Sequence, residues 1–246
     1  MMRSALQYAC GVAALLIAQP VLAGPPYVTD DPAPTDYQHY EVYAFGGGTV
    51  TRGGSGSEGG IDFNYGALPD LQLTAVLPFG VDRPSGGPMV HGVGNVELAA
   101  KYKFLHQDDF GWDVSFFPRV FLPSLSPNIG ERHTSLLLPL YVGKSWDDLS
   151  TFGGGGCTIS HGGGSQNFCE VGWAVTYRFT PKLTMGAEIY SQGADSIGGK
   201  ASSGVGVGAV YDLNDNYHLM ASIGPGIQNS AATNKYSWYA ALLFTL

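Results

Sequence analysis

From His39 to the last residue, hydrophobic and polar positions alternate with a period of two. In the final stretch, Tyr236, Trp238, Ala240, Leu242, Phe244 and Leu246 share one face, and Ser237, Tyr239, Ala241, Leu243 and Thr245 share the other. That period belongs to a β-strand, whose successive side chains point to opposite faces. The same alternation recurs along the chain and predicts strands at about 39–48, 58–67, 71–79, 92–104, 111–122, 133–145, 149–157, 169–179, 183–192, 200–211, 217–226 and 234–246. Helix signals are scarce, because Gly or Pro interrupts most windows long enough to form one.

The two faces differ in kind. Val171, Trp173, Val175, Tyr177 and Phe179 oppose Glu170, Gly172, Ala174, Thr176 and Arg178. Val96, Leu98, Ala100, Tyr102 and Phe104 oppose Asn95, Glu97, Lys101 and Lys103, and Trp112, Val114, Phe116 and Val120 oppose Asp113, Ser115 and Arg119. Ile61, Phe63 and Tyr65 oppose Asp62 and Asn64, while Leu183, Met185, Ala187 and Ile189 oppose Thr184, Glu188 and Gln192. Each of these charges lies on the face opposite the large apolar residues. An Arg or Lys facing lipid at mid-depth costs about 2–4 kcal/mol, so such side chains belong inside a barrel. Asp62, Glu97, Lys101, Asp113, Arg119, Glu170, Arg178 and Glu188 are therefore the candidate lumen-lining residues. Both signs are present, which predicts pairing across neighbouring strands. Such pairs either hold a filled barrel rigid or line a route for a solute. Gly204, Gly206 and Gly208 leave the inner face of 200–211 bare, which suits a plug or solute against the wall, or a bend in the sheet.

The connections alternate as well. Leu68-Pro69-Asp70, Leu105 to Phe110, Trp146 to Asp148, Thr180-Pro181-Lys182 and Asp212 to Asn216 are short. Thr49 to Ser57, Gly80 to His91, Pro123 to Arg132, Thr158 to Phe168, Gly193 to Gly199 and Ile227 to Thr233 are mostly longer and rich in Gly, Ser and Asn. Short turns on one side and longer loops on the other are the asymmetry of an outer-membrane barrel. The predicted fold is an all-β antiparallel transmembrane β-barrel of about 12 strands, of the bacterial outer-membrane type. An even strand count places both termini on the short-turn, periplasmic side. A soluble sandwich gives no reason for alternating loop lengths.

Composition agrees. Charged residues make up 13% of the chain and mean hydropathy is +0.04, yet no run of about 20 apolar residues follows the N-terminal segment. Residues 1–23 have a positive start at Arg3, an apolar stretch from Gly11 to Ala18, and Val21-Leu22-Ala23 at a cleavage position. They read as a secretory signal, which leaves Gly24 as the first mature residue and removes Cys10. Residues 24–38 hold four prolines and read as an extended N-terminal arm; 39–246 form the barrel. Loss of Arg3 takes the net charge from −8 to −9, which argues against a nucleic-acid partner. Cys157 and Cys169 are an even pair in an exported chain and predict a disulfide closing a Gly-rich loop. A metal site from these two and His161 matches no common zinc spacing, and neither metal nor cofactor is expected.

The arm GPPYVTDDPAPTDYQHYEVYAFG is the most distinctive stretch. Its Gly24-Pro25-Pro26, Thr29-Asp30-Asp31-Pro32 and Tyr37 through Glu41 resemble the start of mature proteins in the outer-membrane barrel family of the MetA pathway of phenol degradation. The resemblance implies a bacterial outer-membrane location and uptake of small solutes, with aromatic or other apolar compounds as the implied class. Its partners would be outer-membrane lipid and the solute. The closing strand also resembles the C-terminal signal of outer-membrane barrels, which implies the barrel assembly machinery as a partner, although this chain ends on Leu246 rather than Phe or Trp.

Two readings of the arm stand side by side. It folds into the lumen as a plug, with Asp30 and Asp31 meeting Arg119 or Arg178, or it is a solvated leader. Asp30, Asp31 and Asp36 lack the ligand spacing of a calcium loop. His133 and Ser135 share a strand face, and His161 and Ser165 share a loop, but no oriented third member accompanies either pair. The chain reads as a channel and not an enzyme; a lipid-acting enzyme and a structural or adhesive barrel are the alternatives.

Overall fold

The computed structural model describes residues 26–246; the predicted signal, Gly24 and Pro25 lie outside the described residues. Twelve antiparallel strands follow one another around a closed sheet. They are β1 (Tyr40–Val50), β2 (Gly54–Leu68), β3 (Leu71–Pro84), β4 (Val90–Val93 continuing as Glu97–Leu105) and β5 (Asp113–Phe116 continuing as Arg119–Phe121). Next come β6 (Ser135–Trp146), β7 (Leu149–Ser160), β8 (Phe168–Thr180), β9 (Leu183–Gln192) and β10 (Ser202–Asp212). The last two are β11 (Tyr217–Gly224 continuing as Gly226–Gln228) and β12 (Tyr236–Thr245). Both pieces of β4 pair with β3, both pieces of β5 pair with β4 and β6, and both pieces of β11 pair with β10. Pro118 and Pro225 sit in two of the interruptions, where a missing N–H breaks the ladder without ending the strand.

β1 closes the barrel by pairing with β12, in register from Glu41↔Thr245 to Val50↔Tyr236. Tyr40 and Leu246 exchange both backbone hydrogen bonds, at 2.9 and 3.0 Å, so the start of the barrel and the end of the chain meet on the short-turn side. Closure leaves no unpaired edge, as a strand in lipid requires. Burial is inverted relative to a soluble protein. Leu73, Leu77, Val175, Ile189, Val207 and Trp238 are exposed on the outer face, while Asn64, Thr74, Glu97, Lys101, Arg119 and Glu188 are buried inside. No helix among the described residues is long and apolar enough to cross a membrane.

The strand pattern matches expectation, with three differences. The β1–β2 and β3–β4 connections are shorter than predicted, because β2 begins at Gly54 and β3 runs to Pro84. The turn at 105–113 contains one helical turn, α1 (Gln107–Phe110), closed by Gly111 with φ 79°. Finally, the inner face is not uniformly polar: Tyr43, Phe45, Tyr239, Ala241 and Leu243 form an apolar cluster inside the β1–β12 seam, with Val76 and Met220 against it.

Candidate functional site

The site is the lumen, and the arm lies across it. Gln38 N–H donates to Gly66 O at 2.8 Å, which ties the arm to the short-turn end of β2. From there the chain climbs inward. Thr35 donates from its N–H and its Oγ1 to Gln72 Oε1, at 2.8 and 3.1 Å, on β3. Gln72 is held in turn by donating to Asn64 Oδ1 and Thr74 Oγ1, at 2.7 and 2.9 Å.

At mid-barrel, Asp30 meets two cations. Lys101 Nζ lies 3.0 Å from Asp30 Oδ1, and Arg119 Nη2 lies 2.9 Å from Asp30 Oδ2. All three side chains are buried. Lys101 also donates to the Asp31 and Ala33 carbonyls, at 3.1 and 3.3 Å. The Phe117 ring lies under both cations, 4.8 Å from Lys101 Nζ and 4.3 Å from the Arg119 guanidinium carbon. Arg119 Nε is 3.6 Å from Glu97 Oε1, one of the expected cross-strand pairs.

The arm then crosses to the far wall. Val28 and Thr29 donate their N–H groups to the two Glu188 carboxylate oxygens at 3.0 Å each, and Thr29 Oγ1 adds a third bond at 3.1 Å. Tyr27 OH donates to Gly208 O at 3.2 Å, and Ser222 Oγ donates to Pro26 O. Burial, and then the Glu188 carboxylate, push the Tyr27 phenol above its ordinary range. In the twelve-strand circuit β4 and β10 stand six strands apart, so the arm spans the full width of the barrel.

Glycines make the room. A Cβ at Gly172 would fall 2.1 Å from Thr29 Oγ1, one at Gly186 2.6 Å from Tyr27 Oη, one at Gly208 2.8 Å from the Tyr27 ring, and one at Gly143 2.9 Å from Pro32. None of the four has a left-handed φ, so space is what requires glycine there.

The arm leaves a main cavity of about 520 Å³ and, against β7, β8 and the far wall, a smaller one of about 80 Å³. Asp62, Glu97, Lys101 and Arg119 line the main cavity, Glu170 lines the smaller one, and Glu188 holds the arm. Asp113 and Arg178 are corrections. Their parity is inward, but both lie at the short-turn rim. Asp113 accepts from Gln107 N–H at 2.8 Å, with Lys103 Nζ at 4.0 Å, and Arg178 is exposed next to the end of β8. Asp30 therefore meets Arg119 and Lys101, and not Arg178. Asp31 points into the main cavity, 4.0 Å from Lys101. Glu41 and Glu58 also line the cavity. Glu58 was legible in principle, since it shares parity with Asp62. Cys157 and Cys169 are bonded, as expected, across the ends of the 158–168 segment; they are register partners of β7 and β8 on the outer face. His133 bonds Ser160, not Ser135.

The profile of the family described as "Putative MetA-pathway of phenol degradation" matches residues 65–237. No curated relative matches the chain. Among solved structures, an outer membrane channel from Pseudomonas putida F1 is similar with a TM-score of 0.64 at 14% identity, over 87% of this chain and 99% of that one. The NanC porin gives 0.60 at 12% identity, over 83% of this chain and all of that one. The KdgM porin gives 0.54 at 11% identity, over 83% and 98%. At these identities the likeness is one of fold: a twelve-strand barrel of the outer-membrane type.

Proposed function

The chain belongs to the MetA-pathway phenol-degradation family, and from that premise we propose that it is an outer-membrane channel for small solutes, best matched to apolar or aromatic compounds that are neutral or positively charged. The observation that carries this is the make-up of the main cavity. One wall is aromatic and apolar, from Tyr43, Phe45, Tyr239 and Leu243. Beside it, on β1, β2 and the arm, stand Glu41, Glu58, Asp62 and Asp31, while the two cations, Lys101 and Arg119, already have Asp30 and Glu97 as partners. A ring compound finds contact area on the first wall. These carboxylates leave an excess of negative charge, which repels anions and concentrates cations. Passage would be passive, down a gradient.

The test is single-channel conductance and reversal potential of the refolded barrel in planar bilayers, with and without phenol-like solutes. Cation preference with solute-dependent block supports the proposal, and Glu58→Gln with Asp62→Asn should reduce that preference. A barrel that conducts anions preferentially, or that ignores aromatic solutes at millimolar concentration, refutes this choice of solute class.

A further inference from the structure

At the long-loop mouth, three side chains from two segments stand in file. His133 Nε2 lies 2.7 Å from Ser160 Oγ, and His133 Nδ1 lies 3.5 Å from Glu131 Oε2. Ser160 ends β7; Glu131 and His133 come from the loop between β5 and β6. Each is fixed independently of the others. Glu131 donates its N–H to Asn95 Oδ1 at 2.6 Å and accepts on its backbone oxygen from Asn95 Nδ2 at 2.9 Å. Its Oε2 accepts from Ser165 Oγ at 3.0 Å. The His133 ring lies against Gly162, where a Cβ would fall 2.0 Å from ring atoms, so only glycine leaves the ring in place. Ser160 N–H donates to Asn167 Oδ1 at 2.8 Å, and the Asn167 NH₂ group has no hydrogen-bond partner among the described residues. Ser160 and Glu131 line the main cavity beside Phe121 and Phe168.

We propose that Ser160 and His133, positioned by Glu131, form an ester-hydrolysing site in the barrel mouth, acting on small carboxylic esters with an aryl or short acyl part. A serine hydroxyl becomes a nucleophile when a base takes its proton and a third group orients that base. The long carboxylate contact is of the kind that tightens on substrate binding. Ser160 Oγ bonds to the acyl carbon as its proton passes to His133 Nε2. The ester C–O bond breaks, and the alkoxide leaves with that proton as an alcohol. Water then attacks the acyl-serine and gives a proton to His133; the Oγ–acyl bond breaks and the proton returns to Ser160. The net reaction is ester and water to acid and alcohol. Asn167 NH₂ is the candidate donor to the transient oxyanion. The main cavity limits the substrate to small molecules, and the rings of Phe121 and Phe168 favour an apolar one. The activity is independent of solute passage.

The test uses the folded full barrel in detergent, with p-nitrophenyl butyrate turnover and labelling by a fluorophosphonate, the label being located by mass spectrometry. The wild type should hydrolyse the ester at least tenfold faster than Ser160→Ala and carry the label on Ser160. His133→Asn should lose both. Glu131→Gln should lower kcat with little change in KM and shift the pH profile of kcat/KM, which a merely structural tie would not do. Heat-modifiable migration reports that each variant is folded. Equal turnover by wild type and Ser160→Ala overturns the proposal, and so does an unlabelled Ser160 in the wild type, a result that needs no variant at all.

Discussion

Replacing Asp30 by Asn should release the arm and leave the barrel standing. Asp30 touches both Lys101 and Arg119, and all three side chains are buried. Removing one partner of a buried ion pair costs about 3–5 kcal/mol, because the remaining charge is left without compensation. Arg119 keeps Glu97 at 3.6 Å, so the main loss falls on Lys101, which retains the Asp31 carboxylate at 4.0 Å, two carbonyls and the Phe117 ring. At 1.4 kcal/mol per tenfold, the ratio of docked to undocked arm should fall by roughly two to nearly four orders of magnitude. The barrel loses none of its ladder hydrogen bonds, so its heat-modifiable migration should not change. The assay is single-channel recording: Asp30→Asn should open often or stay open, with a conductance approaching that of a chain lacking residues 24–36. Asp30→Asn combined with Lys101→Met removes the orphaned charge and should recover much of the closed time. A deletion with wild-type conductance would show that the arm does not occlude the lumen. A deletion that opens beside a silent Asp30→Asn would refute the ion-pair lock while keeping the plug.

Gly172→Val puts a side chain where Thr29 sits and should mimic the arm deletion, with little further effect in a chain that already lacks the arm; equal conductance of Gly172→Val and wild type would argue against steric docking. Val207→Arg places a charge on the lipid face of β10 and should lower unfolding free energy by about 2–4 kcal/mol, whereas an Arg at lumenal Thr184 should cost far less, as read from urea titration in lipid. Replacing Cys157 and Cys169 by Ser should leave strand pairing and conductance intact and reduce stability by up to roughly 3 kcal/mol for a loop of 12 residues, measured by the same titration.

How far the sequence reveals this molecule depends on the range of the forces at each point. Lipid outside and water inside impose a period of two on every strand, so Val171 to Phe179 and their charged opposites declare their faces locally. Parity does not report depth, however. Arg178 and Asp113 face inward like Arg119, yet the short-turn rim leaves them beside water and the α1 turn. The Asp30–Arg119 contact joins residues 89 apart, which no local pattern encodes. One signal for it was present. Gly143, Gly172, Gly186 and Gly208 each occupy an inward position in a strand, where glycine weakens the ladder and supplies no packing. Only the bare face at Gly204, Gly206 and Gly208 was legible as room for a plug, because three glycines in one strand stand out and single glycines in three others do not.

The arm also explains why the lumenal charges depart from simple cross-strand pairing. An extended chain lying inside a barrel brings backbone N–H and C=O groups away from bulk water, and each then needs a partner. Pro26, Pro32 and Pro34 carry no donor, which removes three such demands at the outset. Glu188 satisfies the N–H groups of Val28 and Thr29, Gln72 that of Thr35, and Lys101 the carbonyls of Asp31 and Ala33. Glu188, Gln72 and Lys101 are thus acceptor and donor sites for a docked peptide. A cross-strand partner for Glu188 or Lys101 would compete with that task. Arg119–Glu97, Lys103–Asp113 and Asp212–His218 are cross-strand contacts; Arg119 also binds Asp30 of the arm, and the other two lie at the short-turn rim. Of the charges read from the sequence, Lys101, Arg119 and Glu188 are therefore the ones that receive the arm.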